Sequence, residues 1–165
     1  MSDLVTDLLA NNELWMLRGP DVPAEKRPTR QVAVVTCMDA RIDAPAQLGL
    51  QVGQAHVVRN AGAIVTDDVE RSVLLSQYAL GTTSVLVVGH TDCGLLGHDE
   101  DATLARVEQQ RGVRPDYPLG SMATVEDGVA AGVQRLRASA VLRHTDDVHG
   151  FVLDVESGRL TPVAA

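Results

Sequence analysis

The chain's two cysteines fall in two short segments, Cys37-Met38-Asp39-Ala40-Arg41 and His90-Thr91-Asp92-Cys93-Gly94, each placed just after an apolar run. Two thiolates and an imidazole suit zinc. Three protein ligands leave the fourth tetrahedral position to water, a substrate or a competing side chain, which is the arrangement of catalytic rather than structural zinc sites. The plain alternative makes Cys37, His90 and Cys93 core residues, because free cysteine is among the most buried types. Their common position past the ends of apolar strands, with Asp39 and Arg41 beside one of them, favours the metal.

Asp39 stands two residues after a candidate ligand. Its carboxylate is placed either to fill the fourth position on zinc or to turn to Arg41 and then accept a hydrogen bond from zinc-bound water. A simple surface ion pair is the ordinary explanation and would contribute little stability. Arg59-Asn60-Ala61-Gly62 reads as support for the site or as a strand end with a turn glycine, and Gly94 as a close backbone approach or a plain turn. His98, His144 and His149 are candidate proton carriers by residue type, but nothing in the sequence sets them beside Cys37, and they read as surface residues.

These groups need elements to hold them. Residues 31–36 and 84–89 are β-branched runs with apolar residues on both faces, the pattern of strands buried in a parallel sheet, and 55–59 resembles a third. A helix follows Thr66 as N-cap, with Asp67 and Asp68 in its first turn, Val69, Val73, Leu74 and Leu80 along it, and Gly81 after its end. A short amphipathic helix over residues 2–10 ends near Asn11 and Asn12, and Gly19, Pro20, Pro23 and Pro28 mark an irregular arm after it. Residues 98–120 form a polar excursion with at most a short helix over 103–110, and no chemistry is assigned there. A helix over 124–138 precedes a hairpin of 150–155 and 159–163 around Glu156-Ser157-Gly158. The order predicts a single α/β domain over residues 1–165, a mostly parallel sheet flanked by helices with an N-terminal arm over 1–30 and a C-terminal hairpin. In such sheets sites form outside the carboxyl ends of the strands, where both cysteine segments lie.

At 165 residues and 45% apolar, the chain has enough material for one buried core. A net charge of -8 gives no basic footprint, so neither nucleic acid nor an anionic membrane surface is expected as a partner. The first residues lack the basic and apolar regions of a secretory signal, and a cytoplasmic location is expected, where a disulfide between the cysteines is disfavoured.

With these residues in view, the chain resembles the β-class carbonic anhydrases, whose pattern of Cys-x-Asp-x-Arg, Arg-Asn-Ala-Gly and His-x-x-Cys-Gly is intact here in that order. The resemblance covers residues 31–95 in motif, extends more loosely to the terminal hairpin, and is greatest to short bacterial members. It implies Cys37, His90 and Cys93 as ligands of one Zn2+ per subunit. Asp39 and Arg41 would then be a catalytic dyad gating the open position, with Asp39 as fourth ligand in a closed state. It implies reversible hydration of carbon dioxide to bicarbonate by a zinc-bound hydroxide, and a homodimer or higher homo-oligomer in which the N-terminal helix embraces the partner. Ala40 departs from the Ser of many members. Two other readings stay open: hydrolysis of carbonyl sulfide or carbon disulfide at the same site, and a non-catalytic zinc or thiol-switch protein.

Overall fold

The computed structural model describes residues 2–19 and 21–165, and Pro20 of the expected arm lies outside them. A five-stranded sheet in the order β2-β1-β3-β4-β5 organises the chain, with β1 Val32–Cys37, β2 Ala55–Asn60, β3 Ser84–His90, β4 Val148–Leu153 and β5 Leu160–Val163. The first four strands are parallel, and β5 pairs antiparallel with β4 as the expected hairpin. β1 is buried on both faces, as its unbroken Val-Ala-Val-Val run requires of an interior parallel strand, whereas edge strand β2 alternates in exposure.

Register is what makes a site. Cys37 pairs with Asn60 across to β2, while Thr36 pairs with Val88 of β3, so the carboxyl ends of the three strands lie side by side. The two cysteine segments therefore leave neighbouring strands at the carboxyl end of the sheet. One core cluster packs α3 (Asp67–Tyr78) and α5 (Val125–Arg137) on one face through Val69, Val73, Val129 and Val133, and the other gathers Val34, Ile42, Val88 and Leu153. Thr66 caps α3 by accepting from the Val69 amide, as its position predicts. α5 comes close enough that a Cβ on Gly89 would stand 2.7 Å from methyl carbons of Val125 and Val129, so this helix packs on a strand that must be bare there.

Two expected helices are longer in the structure. α1 runs Asp3–Leu17, past Asn11 and Asn12, because the following Glu13, Leu14, Met16 and Leu17 are good helix formers and two asparagines alone do not stop a helix. It buries none of its residues in its own chain and exposes Leu4, Leu8, Trp15 and Leu17. α4 runs Glu100–Arg111, started by Asp99, whose side chain accepts from the Ala102 amide at 2.9 Å, and stopped by Gly112 in the left-handed region. A four-residue helix, α2 (Ala44–Gln47), begins at Asp43. Among the described residues no helix is long and apolar enough to cross a membrane.

Candidate metal centre

Cys37 is the last residue of β1, His90 the last of β3, and Cys93 lies in the loop beyond. All three are buried, and their ligand atoms lie within 4.8 Å of one another. The His90 Nδ1 is 2.8 Å from the carbonyl oxygen of Thr91. A carbonyl only accepts, so Nδ1 carries the proton and Nε2 presents a bare lone pair. Among the described residues Nε2 is the one buried side-chain nitrogen or oxygen without a hydrogen-bond partner. Such an orphan costs about 1–3 kcal/mol unless something satisfies it, and a cation held also by two sulfurs does so. The donor set fits zinc.

The sulfurs are prepared by backbone. The Gly62 amide donates to the Cys37 Sγ at 3.4 Å, which the left-handed turn over Ala61–Ala63 makes possible, with Gly62 at φ +74°. Burial pushes the Cys93 thiol up, an amide hydrogen bond from Leu95 partly offsets this, and the Cys37 sulfur beside it raises it further. A metal bound here would have to displace a proton, so its affinity would rise with pH.

Asp39 accepts from the Arg41 amide at 2.9 Å, from its Nε at 3.0 Å and from its Nη2 at 2.8 Å. These hydrogen bonds, side-chain first, hold the Asp39 carboxyl well below the usual carboxylate range. It stays anionic throughout the neutral range and acts as an acceptor only. Its Oδ2 stands 3.9 Å from His90 Nε2, at the edge of the ligand cluster. Arg59 donates from Nε to the Cys37 carbonyl at 2.9 Å and from Nη2 to that of Asp39 at 2.7 Å, pinning the loop. Asn60 grips Ile64 through both its amide oxygen and nitrogen, closing the turn that carries Gly62. The Arg59-Asn60-Ala61-Gly62 segment thus supports the loop and the sulfur of the clustered donors.

Asp92 was not among the residues singled out by sequence. Its Oδ2 accepts from Arg41 Nη1 at 2.8 Å and its carbonyl from Nη2 at 3.0 Å, so Arg41 joins the two ligand-bearing loops. An acid between two candidate ligands was the available signal. Its φ of +55°, which turns the carbonyl toward Arg41, has no mark in the sequence. A cavity of about 270 Å³ opens over the cluster, lined by Cys37, Met38, Asp39, Gly62, Cys93 and Leu95 among others. His98 is bonded to Thr103, the His144 backbone to Gln77, and His149 to Asp147, and none of them lines that cavity.

The carbonic anhydrase family profile matches residues 32–113. Beta-carbonic anhydrase 1 of Mycobacterium tuberculosis is 38% identical over 157 residues, covering 95% of this chain and 96% of that protein. The chain belongs to the β-carbonic anhydrase family. The profile spans β1 to just past α4 and so contains the ligand cluster, Asp39, Arg41 and the supporting turn. A carbonic anhydrase from Streptococcus mutans superposes with a TM-score of 0.89 at 33% identity, covering 99% of each chain. A carbon disulfide hydrolase of Acidianus is 33% identical over 156 residues, covering 79% of this chain and 76% of that enzyme.

Proposed function

We propose that this chain catalyses the reversible hydration of carbon dioxide to bicarbonate, with one zinc ion per subunit on Cys37, His90 and Cys93. The observation that carries the reading is the bare, buried Nε2 of His90 facing two buried sulfurs. Zinc on such ligands supplies the Lewis acidity that makes water a nucleophile near neutral pH. Two thiolates would blunt that acidity, and the amide hydrogen bonds from Gly62 and Leu95 draw charge off them. Asp39, kept anionic by Arg41, accepts a hydrogen bond from the attacking oxygen and fixes the direction of its lone pair. Arg41, anchored by Asp92, engages both oxygens of that carboxylate at the edge of the ligand cluster, where it would otherwise serve as a fourth donor. Met38, Gly62 and Leu95 give a small apolar, polar-poor pocket wall suited to an uncharged triatomic molecule.

Stopped-flow carbon dioxide hydration by the zinc-loaded protein, run beside carbonyl sulfide and carbon disulfide hydrolysis, tests this. Carbon dioxide turnover is expected to dominate and to rise toward mildly alkaline pH. Dominant sulfide release would move the assignment to the hydrolases that the Acidianus relative represents. Silence toward all three gases with zinc bound would leave a non-catalytic zinc protein.

The working unit is inferred to be a homodimer or higher homo-oligomer in the cytoplasm, where both thiols stay reduced. In support, α1 presents Leu4, Leu8, Trp15 and Leu17 to solvent, and an apolar groove with Val58, Leu75 and Leu80 lies between β2 and α3. Leu8→Glu with Leu9→Glu is expected to yield monomers by light scattering where the wild type is dimeric. A monomeric wild type at micromolar concentration would refute the inference.

A further inference from the structure

Glu100 opens α4 and does not line the cavity, yet its carboxylate gathers a segment that leads to Leu95 of the cavity wall. Its Oε1 accepts from the Leu119 amide at 2.7 Å, and its Oε2 from the amides of Gly120 at 3.0 Å and Ser121 at 3.1 Å. Three backbone donors on one carboxylate are charge-assisted bonds, roughly twice as strong as neutral ones. They fasten the end of the polar excursion that follows α4, a stretch without regular structure of its own from Gly112 to Ser121.

The fastened strand of chain leads directly to the site. The Met122 amide donates to the Leu95 carbonyl at 3.1 Å, and the Gly97 amide donates to that of Met122 at 2.9 Å, making a short parallel bridge. Leu95 lines the cavity. A Cβ on Gly62 would lie 2.8 Å from Leu95 Cδ1 and 3.0 Å from Met122 Cε, so both side chains press on the turn whose amide serves the Cys37 sulfur. Gly120 sits so close to Ile64 that a Cβ there would overlap its Cδ1. The segment 119–122 is thus clamped between Glu100 on one side and the cavity's Leu95 and Gly62 on the other.

We propose that Glu100 is a positioning residue that sets the width of the cavity, and through it the discrimination among small linear triatomic substrates. The selectivity part rests on the carbon dioxide reading above. Glu100→Ala leaves three amides unpaired, and loss of bonds to a charged group is expected to speed hydrogen exchange at Gly97 and Gly120 about tenfold or more. Zinc content is expected to stay at the wild-type level. The KM for carbon dioxide should rise about threefold with kcat within about twofold, and kcat/KM for carbon disulfide relative to carbon dioxide should rise about threefold. Glu100→Gln is the milder variant, because a side-chain amide keeps one acceptor oxygen and turns its NH2 toward a donor. It is expected to fall between wild type and Glu100→Ala, which keeps the test decisive if the alanine variant folds poorly.

Wild-type exchange at Gly97 in both variants would overturn the link from Glu100 to the wall. Faster exchange with unchanged KM and unchanged selectivity would overturn the role in discrimination. Exchange is read on the zinc-loaded protein whether or not any gas is turned over, so failure of the strap is separable from failure of the carbon dioxide reading.

Discussion

Cys93→Ser is expected to lower zinc affinity by at least about 100-fold, since a bound zinc distributes roughly 10–16 kcal/mol over its ligands and a hydroxyl is a poor substitute for a thiolate. Cys93 is buried beside Cys37 and His90, and among the described residues the side chain placed to replace it is the Asp39 carboxylate, which Arg41 holds. Turnover should fall with metal occupancy, while far-ultraviolet circular dichroism stays that of the wild type because the serine is nearly isosteric. Elemental analysis after dialysis against a chelator checks the first part. Undiminished zinc would remove Cys93 from the ligand set. The wild type itself should hold zinc more weakly as pH falls, because burial raises the Cys93 thiol and protons then compete for the sulfur.

That prediction was partly legible in the residue string. Cys37, His90 and Cys93 follow β-branched runs, and both the strand type and the place of a site beyond strand ends come from simple patterning. What patterning does not carry is register. The pairing of Thr36 with Val88 puts the two ligand loops side by side, and it is decided by packing on both faces of the sheet. Asp92 is illegible in the sequence for a local reason: its value lies in a left-handed backbone that aims a carbonyl at Arg41, and aspartate adopts that conformation without any neighbouring signal. Glu100 is illegible for the opposite reason, being one acid in a polar stretch whose partners are backbone amides about twenty residues on. α1 runs beyond Asn11 and Asn12 because asparagine disfavours but does not end a helix. Its apolar residues, unburied in the chain, were nonetheless visible as a stripe in need of a partner.

Asp39→Ala separates orientation from metal binding. The Asp39 carboxylate is not among the three clustered donors, so zinc content should remain at the wild-type level. The alanine variant loses the acceptor that stands 3.9 Å from His90 Nε2 and leaves Arg41 with Asp92 as its remaining carboxylate partner. Turnover is expected to drop roughly 10²-fold, the scale on which misplacing a reacting group by about 1 Å acts. Asp39→Asn is the informative companion. It keeps an oxygen in place but loses the negative charge, so it should recover part of the rate if a hydrogen-bond acceptor suffices and none if the attacking oxygen must face an anion. Carbon dioxide hydration by all three proteins at equal zinc occupancy decides between these. Wild-type rates for Asp39→Ala would reduce Asp39 to a brace for Arg41, whose own link between the loops runs through Asp92.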